Sequence, residues 1–144
     1  MSDCTASPGR WMALDVGTKS IGVAVSDPLK LIARPLTTLW RRNLADDVRE
    51  VEKLVRRNRV EKLILGQPRH LDGRRSETMT CVARLAGELK RVLSIPMEYF
   101  DERLSTRAAE EVMSRMGLPV SERRRRRNEF AAALILKWHL EEGG

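Results

Sequence analysis

Apolar residues recur along this chain in two rhythms. Trp11 to Val16 and Ile21 to Asp27 are short β-prone runs, joined by Gly17-Thr18-Lys19-Ser20, a tetrapeptide with a hairpin's composition. Pro35 to Leu39 predicts a third strand. From Asn43 to Asn58 the apolar positions are Leu44, Val48, Val51, Leu54 and Val55. That spacing is one face of a helix, and Asn43 can cap its start. Val60 to Gly66 is a continuous apolar run apart from Glu61-Lys62, the pattern of a strand covered on both faces. A second helix, from Ser76 to Leu93, carries Met79, Val82, Leu85, Ala86 and Leu89 inward. Pro96 to Phe100 predicts another short strand. Ser105 caps a helix containing Ala108, Val112, Met113 and Met116, which stops at Gly117-Leu118-Pro119. A last helix runs from Arg124 to Glu142 with Ala131, Ala132, Ile135, Leu136 and Trp138.

The predicted order is therefore β-β-β-α-β-α-β-α-α. A hairpin meander feeds strands separated by helical crossovers, so the fold class is α/β, a mixed five-stranded sheet flanked by helices. In such sheets chemistry gathers at the carboxyl ends of the parallel strands. With 144 residues, the chain reads as a single domain over residues 11–142, behind a loose leader over residues 1–10 that lacks an apolar signal core. No stretch approaches the roughly 18 apolar residues that span a bilayer. The expectation is a cytoplasmic protein with no membrane association.

Charge and cysteine content narrow the class further. Cys4 and Cys81 lie far apart, which fits neither a disulfide framework nor a zinc site and suggests reduced thiols. His70 and His139 are too scattered for a histidine-based metal site. Lys and Arg number 27 against 20 Asp and Glu, a formal charge of +7, and arginine dominates. That balance suits a polyanionic partner, because guanidinium groups match phosphate geometry. A merely solubilising surface would give the same balance.

Four segments can carry chemistry. In Leu14-Asp15-Val16-Gly17-Thr18-Lys19-Ser20-Ile21-Gly22, an Asp ends an apolar strand and Gly17 permits a tight turn. Gly22 would let another group approach closely. The plainer reading is an ordinary hairpin with a turn aspartate. Gly66-Gln67-Pro68-Arg69-His70-Leu71-Asp72-Gly73 leaves a strand's carboxyl end, where Arg69, Arg74 and Arg75 can reach phosphates or simply be solvated. Phe100-Asp101-Glu102-Arg103-Leu104-Ser105-Thr106 sets two carboxylates directly after a strand. Magnesium and manganese favour such hard oxygen ligands, although Arg103 can instead balance a structural carboxylate. Finally, Arg123, Arg124, Arg125, Arg126 and Arg127 precede Asn128-Glu129-Phe130-Ala131-Ala132-Ala133-Leu134-Ile135-Leu136. Five arginines opening a helix make a dense phosphate-binding element, able to order on binding, or else a solvated basic face.

In this order and spacing, LDVGTKSIGVAVSD, GQPRHLDG, DERLST and NEFAAALIL resemble the YqgF or RuvX family, described as Holliday-junction resolvases or pre-16S ribosomal RNA nucleases. The resemblance runs from Trp11 to Leu140. It implies a ribonuclease-H-like fold and phosphodiester cleavage by acidic residues holding divalent metal, Mg²⁺ or Mn²⁺. Carried over by motif, the first acid is Asp15 and the second Glu102, with Asp101 beside it. The family's final aspartate falls on Asn128, whose amide oxygen can ligate a metal but brings no charge. Glu129 follows, rotated by about 100° on the helix, so it replaces the carboxylate only if the helix turns or the longer side chain reaches. Ser20 stands where the pattern usually has arginine, and Gln67 where it has leucine.

The resemblance implies a nuclease on structured nucleic acid, with the 5′ end of precursor 16S rRNA favoured and a Holliday junction as the alternative substrate. Lys19, Arg69, Arg74, Arg75, Arg103 and the arginines from Arg123 to Arg127 are the expected nucleic-acid contacts. Asn128 keeps open a weakened enzyme that retains binding. Asp15-Val16-Gly17-Thr18 also resembles the first phosphate motif of actin-like ATPases, but those close two lobes over a nucleotide and this chain provides one. No dimer face is evident, so a monomer or weak homodimer is expected.

Overall fold

The structure of this chain, a computed structural model, describes residues 9–67, 77–101 and 105–142. Its elements are β1 (Arg10–Val16), β2 (Ser20–Ser26), β3 (Ala33–Trp40), α1 (Leu44–Arg57), β4 (Val60–Gln67), α2 (Glu77–Val92), β5 (Met97–Asp101), α3 (Ser105–Arg115) and α4 (Val120–Glu141). The described strands form a five-stranded sheet in the order β3-β2-β1-β4-β5. β1, β2 and β3 are an antiparallel meander, whereas β4 runs parallel to both β1 and β5. The sheet is mixed, as the element order predicts.

Strand alternation explains why the central strands read as unbroken apolar runs. On one face Met12, Leu14, Val16, Ile21, Val23, Leu63 and Leu65 meet Val48, Val51 and Val55 of α1 and Val82, Leu85 and Leu89 of α2. On the other face, smaller residues (Ala13 and Ala24, with Ile64) meet Ala132, Ala133, Ile135 and Leu136 of α4. Small side chains on both surfaces let α4 lie close to the sheet. Full burial of Ile135 and Leu136 contributes on the order of 1.5–3 kcal/mol each. α3 packs on α4 through Ala109, Met113, Phe130 and Ala131.

Local chemistry sets the boundaries. Asn43 caps α1 by accepting a hydrogen bond from the Asp46 amide at 2.9 Å. The Glu61-Lys62 interruption in β4 is also accounted for. Lys62 is buried, with its ammonium 4.4 Å above the Trp11 ring and 3.0 Å from Glu98, so its charge is paired where it is desolvated. Glu61 points outward to Lys30 and the Gly9 amide.

Two elements differ from the sequence prediction by two residues or more at an end. β3 is longer at both ends, because its pairing with β2 continues from Ala33↔Ser26 to Trp40↔Ser20. α4 starts at Val120, immediately after Pro119, and not at Arg124. No helix breaker separates Pro119 from the arginines, and Glu122 in the first turn suits the positive end of the helix dipole. Residues 1–8 of the expected leader lie outside the described residues.

Candidate active site

β1 alternation sends Ala13 and Asp15 towards α4 and sends Leu14 and Val16 towards α1 and α2. Asp15 is buried, only 7% exposed. Its register partner on β2 is Gly22, whose partner on β3 is Thr38. The row Asp15–Gly22–Thr38 thus crosses three strands beneath α4. A Cβ built on Gly22 would overlap the carbonyl of Asn128 and crowd the amide nitrogen of Glu129. Glycine is required here because the helix backbone rests on the strand. This is the close approach expected from the sequence, and it brings Asn128 to the row of Asp15.

The Asn128 side chain is fixed from the β1–β2 turn. Its Nδ2 donates to Ser20 Oγ at 2.6 Å, and Ser20 is itself buried. Nδ2 would also lie 3.5 Å from a Cβ on Gly17, in van der Waals contact. Gly17 does not adopt a positive φ. The turn is tight, with the Gly17 amide donating to the Ser20 carbonyl at 2.8 Å, and a Cβ on Gly17 would press on that carbonyl at 3.2 Å, so glycine clears the turn of side-chain obstruction as the sequence suggested.

Glu129 takes a different direction. Thr38 Oγ1 donates to its Oε1 at 2.8 Å, and Arg126 Nε donates to its Oε2 at 3.0 Å. The carboxylate is therefore held against β3, two strand spacings or roughly 10 Å across the sheet from β1. As arranged, the helix sends Asn128 and not Glu129 to the Asp15 side, and both Glu129 oxygens are engaged.

Sequence reasoning missed a brace behind the turn. Arg41 Nε donates to Asp47 Oδ2 at 2.9 Å, while another nitrogen of the same guanidinium donates to the Gly17 carbonyl at 3.0 Å. The Arg41 amide donates to the Lys19 carbonyl at 2.9 Å. A signal was available: Asp47 falls on the inward stripe of α1, three residues after Leu44 and four before Val51, where a buried carboxylate needs a cationic partner.

The remaining predicted residues divide clearly. Asp101 ends β5 in register with Gln67 of β4, and Leu65 of β4 is in register with Leu14 of β1. The backbones of Asp15 and Asp101 therefore reach the same carboxyl edge of the sheet, with β4 between them. Glu102, Arg103, Arg69, Arg74 and Arg75 lie outside the described residues. Among the described residues, no group of three His, Cys, Asp or Glu side chains is placed to hold a metal ion.

Lys19 is exposed at the β1–β2 turn. The arginine run is helical and largely paired. Arg123 donates to the Leu118 carbonyl, Arg125 to Glu122, Arg126 to Glu129, and Arg127 to Glu110 on α3. Arg124 is exposed. A segment expected to order on binding is thus a regular helix here, with ion pairs that a phosphate would have to displace.

Comparison with known proteins completes the picture. Residues 9–142 match the family model for RuvX, described as Holliday junction resolvase. A protein of Moorella thermoacetica named "Putative pre-16S rRNA nuclease" is 44% identical over 135 residues, covering 94% of this chain and 96% of that one. A protein of Syntrophus aciditrophicus with the same name is 42% identical, covering 92% and 88%. Thermus thermophilus RuvC, solved in complex with a Holliday junction substrate, superposes with a TM-score of 0.59 at 16% identity, covering 94% and 95%. At that identity the likeness is one of fold, and the sheet order with its flanking helices is ribonuclease-H-like.

Proposed function

This chain belongs to the RuvX family, and from that premise we propose that it is a divalent-metal-dependent nuclease acting on structured nucleic acid, with the 5′ end of precursor 16S rRNA as its substrate. The names of the relatives that match over nearly the whole chain favour the ribosomal substrate. Family membership displaces the actin-like reading. Among the described residues no helix is long and apolar enough to cross a membrane. We place the activity in the cytoplasm, where precursor rRNA is made and trimmed.

The observation that carries the proposal is the packing of the Asn128 backbone on Gly22, the register partner of Asp15 near the carboxyl end of β1. Asp15 offers a carboxylate on a rigid, buried strand. Asn128, with Nδ2 committed to Ser20, offers a carbonyl oxygen. Both are hard oxygen donors, the type that Mg²⁺ or Mn²⁺ takes. Asp101, and Glu102 directly after it, are the proposed further donors from β5. When bound, the metal would activate water and neutralise charge developing on the phosphate. The chain's part is to hold these oxygens at fixed positions, and the Arg41 brace on the Gly17 and Lys19 carbonyls keeps the turn beneath them from shifting. Lys19 and Arg124, both exposed, are proposed to meet the phosphate backbone.

A second reading rests on Asn128 alone. Replacing a carboxylate by an amide removes one negative charge from the site and weakens its hold on a dication by up to several kcal/mol at partly desolvated distances. In that reading the chain binds the same nucleic acid and cuts slowly. Assaying cleavage of precursor-rRNA fragments and four-way DNA junctions with Mg²⁺ or Mn²⁺ separates the readings, and the favoured substrate separates rRNA trimming from junction resolution.

A further inference from the structure

Beside the site lies an aromatic side chain that the nuclease reading does not use. Trp40 is the last residue of β3, which is an edge strand, and 58% of it is exposed. Its cross-strand partner is Ser20, the residue that holds Asn128. Strand alternation puts Trp40 on the same face as Thr38, which bonds Glu129 of α4, and hence on the Asp15 face. An exposed indole next to a buried polar site offers an incoming group a large flat apolar face.

The surroundings say which occupant. On one side of the ring a groove of about 210 Å³ is bordered by Arg125, Arg126 and Thr38. On the other a groove of about 380 Å³ is bordered by Arg42, with Arg49 and Lys53 paired there to Asp46 and Glu50 in exposed contacts. Arg42 is exposed, and Arg125 pairs with Glu122 in an exposed contact that a phosphate can displace at little cost. An aromatic face flanked by Arg42 on one side and Arg125 on the other matches a nucleotide: a base for the ring, phosphates for the two exposed guanidinium groups. An apolar protein surface would gain nothing from the cations.

We propose that Trp40 is a stacking platform for an unpaired base of the substrate, so that the bound strand is single-stranded beside the Asp15–Asn128 site. The inference rests on the proposed nucleic-acid activity and narrows its substrate. Paired bases bury their faces in the helix stack and cannot stack on a side chain, whereas splayed bases can. Trp40 lies two strand spacings across the sheet and two residues along it from Asp15, roughly 12 Å away. A short stretch of strand therefore reaches from the platform to the site.

The test measures binding of short oligouridine, oligothymidine and a blunt RNA duplex to the full chain by fluorescence anisotropy, together with intrinsic tryptophan quenching. Single strands should quench the wild-type fluorescence, and Trp40→Phe should lose most of that quenching. Trp40→Ala should weaken single-strand binding roughly 5- to 150-fold, Trp40→Phe should weaken it much less, and neither should alter duplex binding. Preference for oligouridine or oligothymidine assigns the strand to RNA or DNA. Unchanged single-strand affinity in Trp40→Ala, with the fold intact by circular dichroism, overturns the platform while leaving the nucleic-acid reading in place. Failure of the wild type to bind any of the three overturns both. If Trp40→Ala changes only the sedimentation of the protein alone, the ring is a contact for a second copy and the proposal is wrong.

Discussion

Asn128 donates its side-chain amide to the hydroxyl of Ser20 at 2.6 Å, tying the last helix to the turn that follows Asp15. The bond has a chemical consequence. With Nδ2 as donor, Oδ1 is the acceptor end of the amide. An aspartate at the same position would keep the contact with its direction reversed, accepting from the Ser20 O–H.

Asn128→Asp should therefore be tolerated by the fold and should strengthen metal binding. Isothermal titration with Mn²⁺ is expected to show at least about a tenfold gain in affinity, from one added negative charge near the cation. The melting temperature in the absence of metal should change little. No gain in affinity would place the metal site elsewhere.

Gly22→Ala tests the contact that creates the site. The added methyl would meet the Asn128 carbonyl, and backbone cannot rotate away as a side chain can. Overpacking of this kind costs at least about 3 kcal/mol, a fall in melting temperature of roughly 10 °C for a chain of this size. Thermal unfolding measures it directly, and a variant as stable as wild type would mean that α4 does not lie where it is described.

Much of this was legible beforehand. The nine elements and their order follow from periodicity, and Gly22 was expected to admit a close neighbour. The boundaries of β3 and α4 were not, because pairing to β2 extends one and the absence of a breaker after Pro119 extends the other. Within the candidate site, Asp15 and Asn128 could be singled out because each sits in a local motif. The direction of Glu129 was not, since it depends on Thr38, 91 residues away in sequence, which no local pattern connects to it. The same holds for Trp40 and Ser20, which meet only through the meander.

Arg41→Ala should remove the brace on the β1–β2 turn and leave the Asp47 carboxylate buried without its cation. A loss of about 2 kcal/mol or more is expected in urea unfolding, since breaking one side of a largely buried pair strands the other charge. Arg41→Ala together with Asp47→Ala should cost less than the sum of the two single changes. Additive costs would show that the pair is not coupled.

His139 gives the pH dependence a defined sign. Its ring is buried between Trp11 and Phe100, and among the described residues Nε2 has no hydrogen-bond partner. Burial holds its pKa below the ordinary 6.5, the Lys62 ammonium adds to that, and the carboxylates of Glu98 and Glu142 oppose it. The unfolded chain thus binds this proton more readily than the folded one. The stabilisation is fully present above pH 6.5 and is lost as the pH falls through the lowered value. His139→Phe should flatten the melting temperature between pH 7 and pH 5 and be neutral or stabilising by about 1 kcal/mol at neutral pH. An unchanged acid slope would assign it to other groups.

The most direct test of the proposed activity is cleavage of a precursor 16S rRNA fragment by wild type and by Asp15→Ala, each with Mg²⁺ or Mn²⁺ and with chelator. We predict cutting by wild type that needs the metal and falls at least about a hundredfold in Asp15→Ala, while affinity for the RNA, carried largely by phosphate contacts, is retained. Equal cutting by the two proteins, or none by clean wild type with either metal, would contradict the account.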